Sequence, residues 1–213
     1  ITPLDAIYLA GFAHRKGKTN NVQENLYVKT FVFEFCHKIF LFIVADLIWW
    51  DNRQVEKLKK DIENQFKIPF DYICFHATHN HSGPQTSSRF SKKLGKRLHS
   101  YLEYLHTQVI KSINNALDNK EEVTVKVYRG SVPIGINRRS NINGEVRMAP
   151  NISGGVDHEV TVFSFITRKG KTKAIWIHYT CHPTSTDVNV VSSEYPGYCC
   201  EQVEKKYPGT HVA

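Results

Sequence analysis

The sequence predicts an α/β fold, a mixed β-sheet flanked by helices in a layered arrangement, and three observations carry that prediction. Apolar runs of strand length, Ile39 to Ala45, Tyr72 to Phe75 and Ala174 to Ile177, are rich in β-branched and aromatic residues. Two long segments instead carry apolar residues at three/four spacing. These are Val55, Leu58, Ile62 and Phe66, and then Leu94, Leu98, Tyr101, Leu102, Leu105, Val109, Ile113 and Ala116. The two patterns interleave along the chain, as layered α/β domains do.

In order, Leu26 to Glu34 reads as a first strand and Ile39 to Ala45 as a second. The second is continuously apolar and so central in the sheet. The short link Phe35 to Lys38 makes them an antiparallel hairpin, with Asp46 at its end. Asp51 or Asn52 caps a helix running to about Phe66, which Ile68-Pro69 ends. A strand then leads to His76, and the second helix runs from Leu94 to Ala116, its first turn weakened by Gly95. Val123 to Val132 alternates as a strand. Gly135 to Pro150 reads as a polar loop holding Asn137-Arg138-Arg139, and Gly154-Gly155 as a hinge. Val160 to Thr167 and Thr172 to Tyr179 flank Arg168-Lys169-Gly170-Lys171 as a hairpin. Glu194 to Tyr207 is a last helix, and Thr210 to Ala213 a strand just beginning.

A chain of 213 residues can bury a substantial core, and 41% hydrophobic content argues for a folded domain. No apolar run approaches the roughly 20 residues of a membrane-spanning helix. The net charge of +8 is spread along the sequence. Its densest cluster, Arg89, Lys92, Lys93, Lys96 and Arg97, opens a helix without the aromatic residues that stack bases, so nucleic acid is not expected as a partner. The five cysteines show no Cys-x-x-Cys spacing. Cys36, Cys74 and Cys181 lie in or beside apolar strands and read as reduced core thiols, which favours a cytoplasmic setting. Because the first residue is Ile1, a trimmed signal would make the protein secreted instead.

Of eleven histidines, His79, His81 and His182 stand apart because each follows a strand and precedes a Pro. The stretch His79-Asn80-His81-Ser82-Gly83-Pro84 places two imidazoles on one side of an extended segment, about 6–7 Å apart. One can bind a metal while the other handles protons or substrate. His182, in Thr180-Cys181-His182-Pro183-Thr184, repeats the design. His76 and His178 alternate with strand cores and are candidates to support such a site. Asp46 is either a sheet-end carboxylate or a group orienting a metal-bound His.

Several motifs in order carry a resemblance. They are Ile1-Thr2-Pro3, Leu9-Ala10-Gly11, Leu26-Tyr27-Val28-Lys29, Val44-Ala45-Asp46-Leu47, Ala77-Thr78-His79-Asn80-His81-Ser82-Gly83-Pro84, Ile136-Asn137-Arg138, Cys181-His182-Pro183-Thr184 and Ser192-Ser193-Glu194-Tyr195-Pro196-Gly197. Together they resemble the N-terminal part of the neutral/alkaline non-lysosomal ceramidase family. The resemblance implies a zinc-dependent amide hydrolase that splits a fatty acid from a ceramide-like lipid. It implies His79 and His182 as zinc ligands, with His81 and Arg138 lining the site as catalytic residues. Asn80 stands where the family often has Thr, and Glu194 where Asp is common.

In the family a Glu and a Tyr ligand, and a Ser-containing loop, come from later in the chain. The expectation is therefore a single domain over residues 1–213 that forms the N-terminal part of a catalytic domain whose remainder is absent. Two other readings stand beside it: a zinc hydrolase of another amide or ester, and a non-catalytic remnant of the fold. Metal content and turnover separate them. A lipid substrate also suits peripheral contact between the basic surface and an anionic membrane.

Overall fold

The computed structural model describes residues 1–89 and 92–213. Its mixed sheets and three α-helices form the expected α/β architecture, in two compact units: residues 1–121 with 183–202, and residues 122–182 with 203–213.

The first unit is built on a three-stranded sheet in the order β1 (Val28–Phe35), β2 (Lys38–Ala45), β3 (Ile73–Ala77). β1 and β2 pair antiparallel, turning at Cys36-His37, whose φ values of 47° and 62° are the two left-handed residues of a tight hairpin. β2 and β3 pair parallel, so the chain between them must cross over, and α1 (Asn52–Phe66) supplies that crossover. The Asp51 side chain accepts the Arg53 N–H at 3.0 Å to cap α1, and Lys67 ends it in the left-handed conformation. Leu41, Ile43 and Ala45 alternate onto one face of the central strand. There they join Leu58 and Ile62 of α1 and Leu105, Val109 and Ile113 of α2 (His99–Asp118) in the core.

Two expectations fail. The second helix starts at His99 rather than Leu94, and Lys92–Leu94 forms only a short 3₁₀ turn. Gly95 explains the break. Its φ of +96° cannot continue a right-handed helix, and a Cβ there would lie 2.4 Å from the Leu9 carbonyl oxygen. The cysteines also differ: Cys36 sits exposed in the hairpin turn, Cys74 is exposed and Cys181 is half-buried. Cys74 alternates with Ile73 and Phe75 and therefore faces away from the core. The five thiols form no disulfide among the described residues.

The second unit runs β4 (Val123–Ser131), β5 (Asn137–Ile142), β6 (Glu145–Asn151), β7 (Glu159–Thr167), β8 (Thr172–Tyr179) and β9 (His211–Val212). β4, β7, β8 and β9 form one sheet in that order, with β9 parallel to β8 and the other pairs antiparallel. The hairpin at Arg168–Lys171 closes on Thr167, which donates to the Lys171 carbonyl at 2.9 Å and accepts the Gly170 N–H at 2.9 Å. The segment read as a polar loop, Gly135 to Pro150, instead contains the hairpin β5–β6. Asn143 and Gly144 turn it with φ values of 54° and 85°. α3 (Glu194–Lys206) starts in the first unit and has its last residues in the second. No helix among the described residues is long and apolar enough to cross a membrane.

Candidate active site

The chain leaves β3 at Ala77 and does not stay extended. Thr78 N–H donates to the Ala45 carbonyl at 3.0 Å and His79 N–H to the Leu47 carbonyl at 2.9 Å, which lays this loop along the segment after β2. His79 takes a φ of +64°. His79 and His81 therefore do not share a face by strand alternation as expected. A left-handed residue and a turn bring their rings together instead, edge to face with centroids 5.2 Å apart. Between them Asn80 is fully buried and donates to the Ser192 carbonyl at 2.7 Å.

His79 Nδ1 lies 2.7 Å from the Ile48 carbonyl oxygen. A carbonyl can only accept, so Nδ1 carries the proton, and in the neutral ring Nε2 keeps the lone pair that a metal requires. Ile48 therefore does the work that Asp46 was a candidate for. The Asp46 carboxylate is bonded to the Tyr27 N–H at 2.8 Å and the Thr78 hydroxyl at 3.4 Å, and is the sheet-end group. His76 does not support His79 through these bonds either: its carbonyl accepts from Trp50 Nε1 at 2.9 Å and its ring stacks on Phe42.

Burial pushes the Asp46 carboxyl up to about 6, against the opposing bond from Tyr27, charge of Lys29 and bond from Thr78. Its ordinary value is 3.8. Between those values the folded chain binds the proton more tightly than the unfolded one, so stability falls as pH rises from about 4 to about 6. Asp46→Asn, neutral throughout, escapes this loss. Its unfolding free energy relative to the parent is expected to rise by up to about 3 kcal/mol between pH 4 and pH 7, as urea titrations at the two pH values would read.

His81 is held more elaborately. Its N–H donates to Glu194 Oε2 at 2.7 Å, its carbonyl accepts from the Arg15 guanidinium, and its ring meets the Phe12 ring edge-on at 5.3 Å. Gly11, with φ +105°, lies under it: a Cβ there would come within 2.7 Å of His81 Cβ. Arg15 also donates to Ser82 Oγ at 3.0 Å and the Thr186 carbonyl at 3.0 Å, and stacks over Phe12. Burial raises the pKa of Glu194 and lowers that of Arg15. Neither residue stands out in the sequence: Arg15 belongs to none of the motifs, and Glu194 appears only within one.

In the second unit, His182 and Arg138 line one shallow cavity of about 340 Å³ together with Asn137, Arg139, Thr180 and Cys181. Arg138 is the second residue of β5 rather than part of a loop, and is half-buried where Arg139 is exposed. Asn137 steadies this start by accepting the Arg139 N–H at 2.9 Å and donating to the Gly155 carbonyl at 2.9 Å. The Tyr179 hydroxyl accepts from the Gly135 N–H at 3.0 Å and donates to the Val132 carbonyl at 2.6 Å, fixing the approach to β5. His182 ends the first segment of this unit, and Pro183 returns the chain to the first unit. His79, His81 and His182 each offer an imidazole nitrogen as a ligand atom. Neutral imidazole is a good zinc donor, and the Ile48 bond sets the tautomer of His79 for it, so the residues fit that metal.

Among solved structures, the chain is similar to the neutral ceramidase from Pseudomonas aeruginosa, with TM-score 0.81 and 16% identity over 98% of this chain and 35% of that one. A ceramidase complexed with C2 is similar at TM-score 0.84 and 18% identity, over 98% of this chain and 34% of that one. The chain thus spans about a third of the length of these solved relatives, and at such identity the likeness is one of fold. No curated protein matches it. The family model described as neutral/alkaline non-lysosomal ceramidase, N-terminal, matches residues 2–212, and the chain belongs to that family.

Proposed function

We propose that this chain supplies part of the active site of a zinc-dependent hydrolase that cleaves the N-acyl bond of a ceramide-like lipid. Family membership supports the reaction class, and a solved relative is a ceramidase complexed with C2. The observation that carries the zinc reading is the bond from His79 Nδ1 to the Ile48 carbonyl, which leaves Nε2 as the metal-binding nitrogen.

His79 and His182 hold the metal through imidazole nitrogens. When bound, zinc lowers the pKa of a coordinated water to about 7 and acts as a Lewis acid toward a carbonyl oxygen. Hydrolysis of an amide drives negative charge onto its carbonyl oxygen, and the Arg138 guanidinium is the cation that stabilises it. The leaving amine must gain a proton, and His81, its backbone gripped from both sides, is the group that delivers it. A ceramide-like substrate lies in lipid, so the net charge of +8 serves contact with an anionic membrane surface.

The test is elemental analysis of the full-length protein that contains this chain, with and without His79→Ala and His182→Ala together, alongside hydrolysis of a short-chain N-acylsphingosine. About one zinc per chain that is lost in the double variant, with turnover lost alongside it, is the expected result. Zinc binding without turnover of that substrate would overturn the ceramide assignment, and no zinc in the parent would overturn the metal assignment.

A further inference from the structure

His81 is gripped from two distant parts of the sequence, with separations of 66 residues to Arg15 and 113 to Glu194. Its N–H meets a carboxylate and its carbonyl meets a guanidinium, so both hydrogen bonds that orient the residue's backbone are charge-assisted. Glu194 is only 3% exposed, and its φ of +54° is a strained value for a residue with a side chain. Such strain costs on the order of 1–3 kcal/mol and persists where surrounding contacts enforce it. Those contacts are present. The Ser192 hydroxyl accepts the Glu194 N–H at 2.9 Å, and Glu194 Oε1 takes the Thr186 N–H and faces the Ser82 hydroxyl, each at 3.4 Å. Arg15 is spent in the same place, on the carbonyls of Ala10, His81, Thr186 and Asp187 and on Ser82 Oγ. Its face against Phe12 presses that ring toward the His81 imidazole.

We propose that Arg15 and Glu194 are a positioning pair for His81: they fix its backbone from the carbonyl side and the N–H side and so aim its imidazole for proton transfer. The inference rests on the reading of His81 as the proton donor to the leaving amine. It adds two residues that act through His81. Their effect is one of aim, and a displacement of about 1 Å at a reacting group costs about 100-fold in rate. A burial that served only to hold the fold together would not require both charges to converge on the two peptide groups that flank a single residue.

The experiment is a double-mutant cycle in the full-length protein, with short-chain N-acylsphingosine as substrate. Glu194→Gln keeps the size and one acceptor oxygen while removing the charge. It is expected to lower kcat about 10–100-fold with KM little changed and zinc content intact. His81→Gln alone is expected to lower kcat about 10²–10⁴-fold. In the His81→Gln background, Glu194→Gln should then cost almost nothing more, because the residue it aims is gone. Full additivity of the two losses would overturn the pair's positioning role, as would a folded Glu194→Gln protein with parental kcat. Arg15→Lys, which keeps the charge but lacks the fork that spans several acceptors, runs the same cycle should Glu194→Gln fail to fold. An unchanged kcat in His81→Gln would sink the proton-donor reading on which the inference rests. The cycle thus separates that failure from failure of the pair.

Discussion

Replacing His79 by Ala is expected to remove zinc and to lower N-acylsphingosine hydrolysis by about a thousandfold or more, while the fold survives. The Lewis acid is worth several kcal/mol of transition-state stabilisation, and each 1.36 kcal/mol is a factor of about ten in rate. The fold should tolerate the change because His79 is exposed and the Ile48 carbonyl it leaves behind can be satisfied by water. The expected loss of stability is about 1 kcal/mol, close to the net worth of one hydrogen bond. Zinc per chain, kcat/KM and the unfolding midpoint, measured together, read these effects separately. Zinc retained with activity within tenfold of the parent would remove His79 from the metal site.

Gly11→Ala is expected to damage both stability and catalysis, from a position outside the proposed reacting groups. At φ +105° a side chain is strained, and the added Cβ would come within 2.7 Å of His81 Cβ and Nδ1 and 2.8 Å of its Cα. Left-handed strain costs about 1–3 kcal/mol and forced overlap about 1–3 more. Part of the overlap is relieved by pushing His81 away, and a shift near 1 Å predicts a fall in kcat of about 100-fold. Gly17→Ala is the control. Its φ is +77°, but nothing lies within 4 Å of the added methyl, so only the conformational cost remains. Thermal unfolding and kcat of the two variants should diverge sharply. Equal losses would mean that Gly11 matters through its backbone alone and that His81 is not pressed against it.

Much of the fold was legible because the responsible signals are local. The unbroken apolar run in β2 marks a strand with neighbours on both sides, and Asp51 caps the helix expected after it. The β5–β6 hairpin was missed although its signal was present: Asn143-Gly144 is the dipeptide that accepts two successive left-handed residues. The polar strands around it hid the turn, because neither strand buries an apolar face whose alternation could be read. Gly95 was legible only as a weak helix residue. Its actual role depends on the Leu9 carbonyl, far away in sequence, occupying the space a side chain would fill.

The site divides along the same line. The sequence by itself determined the family and the histidines and arginine that deserve testing, because those residue types and their flanking Pro and Gly recur as contiguous motifs. It could not determine how His79 and His81 are presented. Strand alternation was the natural expectation, yet a left-handed turn delivers them, since the loop's N–H groups find their acceptors on the segment after β2. Nor could it show that a backbone carbonyl sets the His79 tautomer, or that Arg15 and Glu194 meet at the backbone of one residue. A backbone acceptor leaves no mark in residue identity, and charges 179 positions apart share no local pattern. Only tertiary structure, which decides where each buried donor finds its acceptor, brings them together.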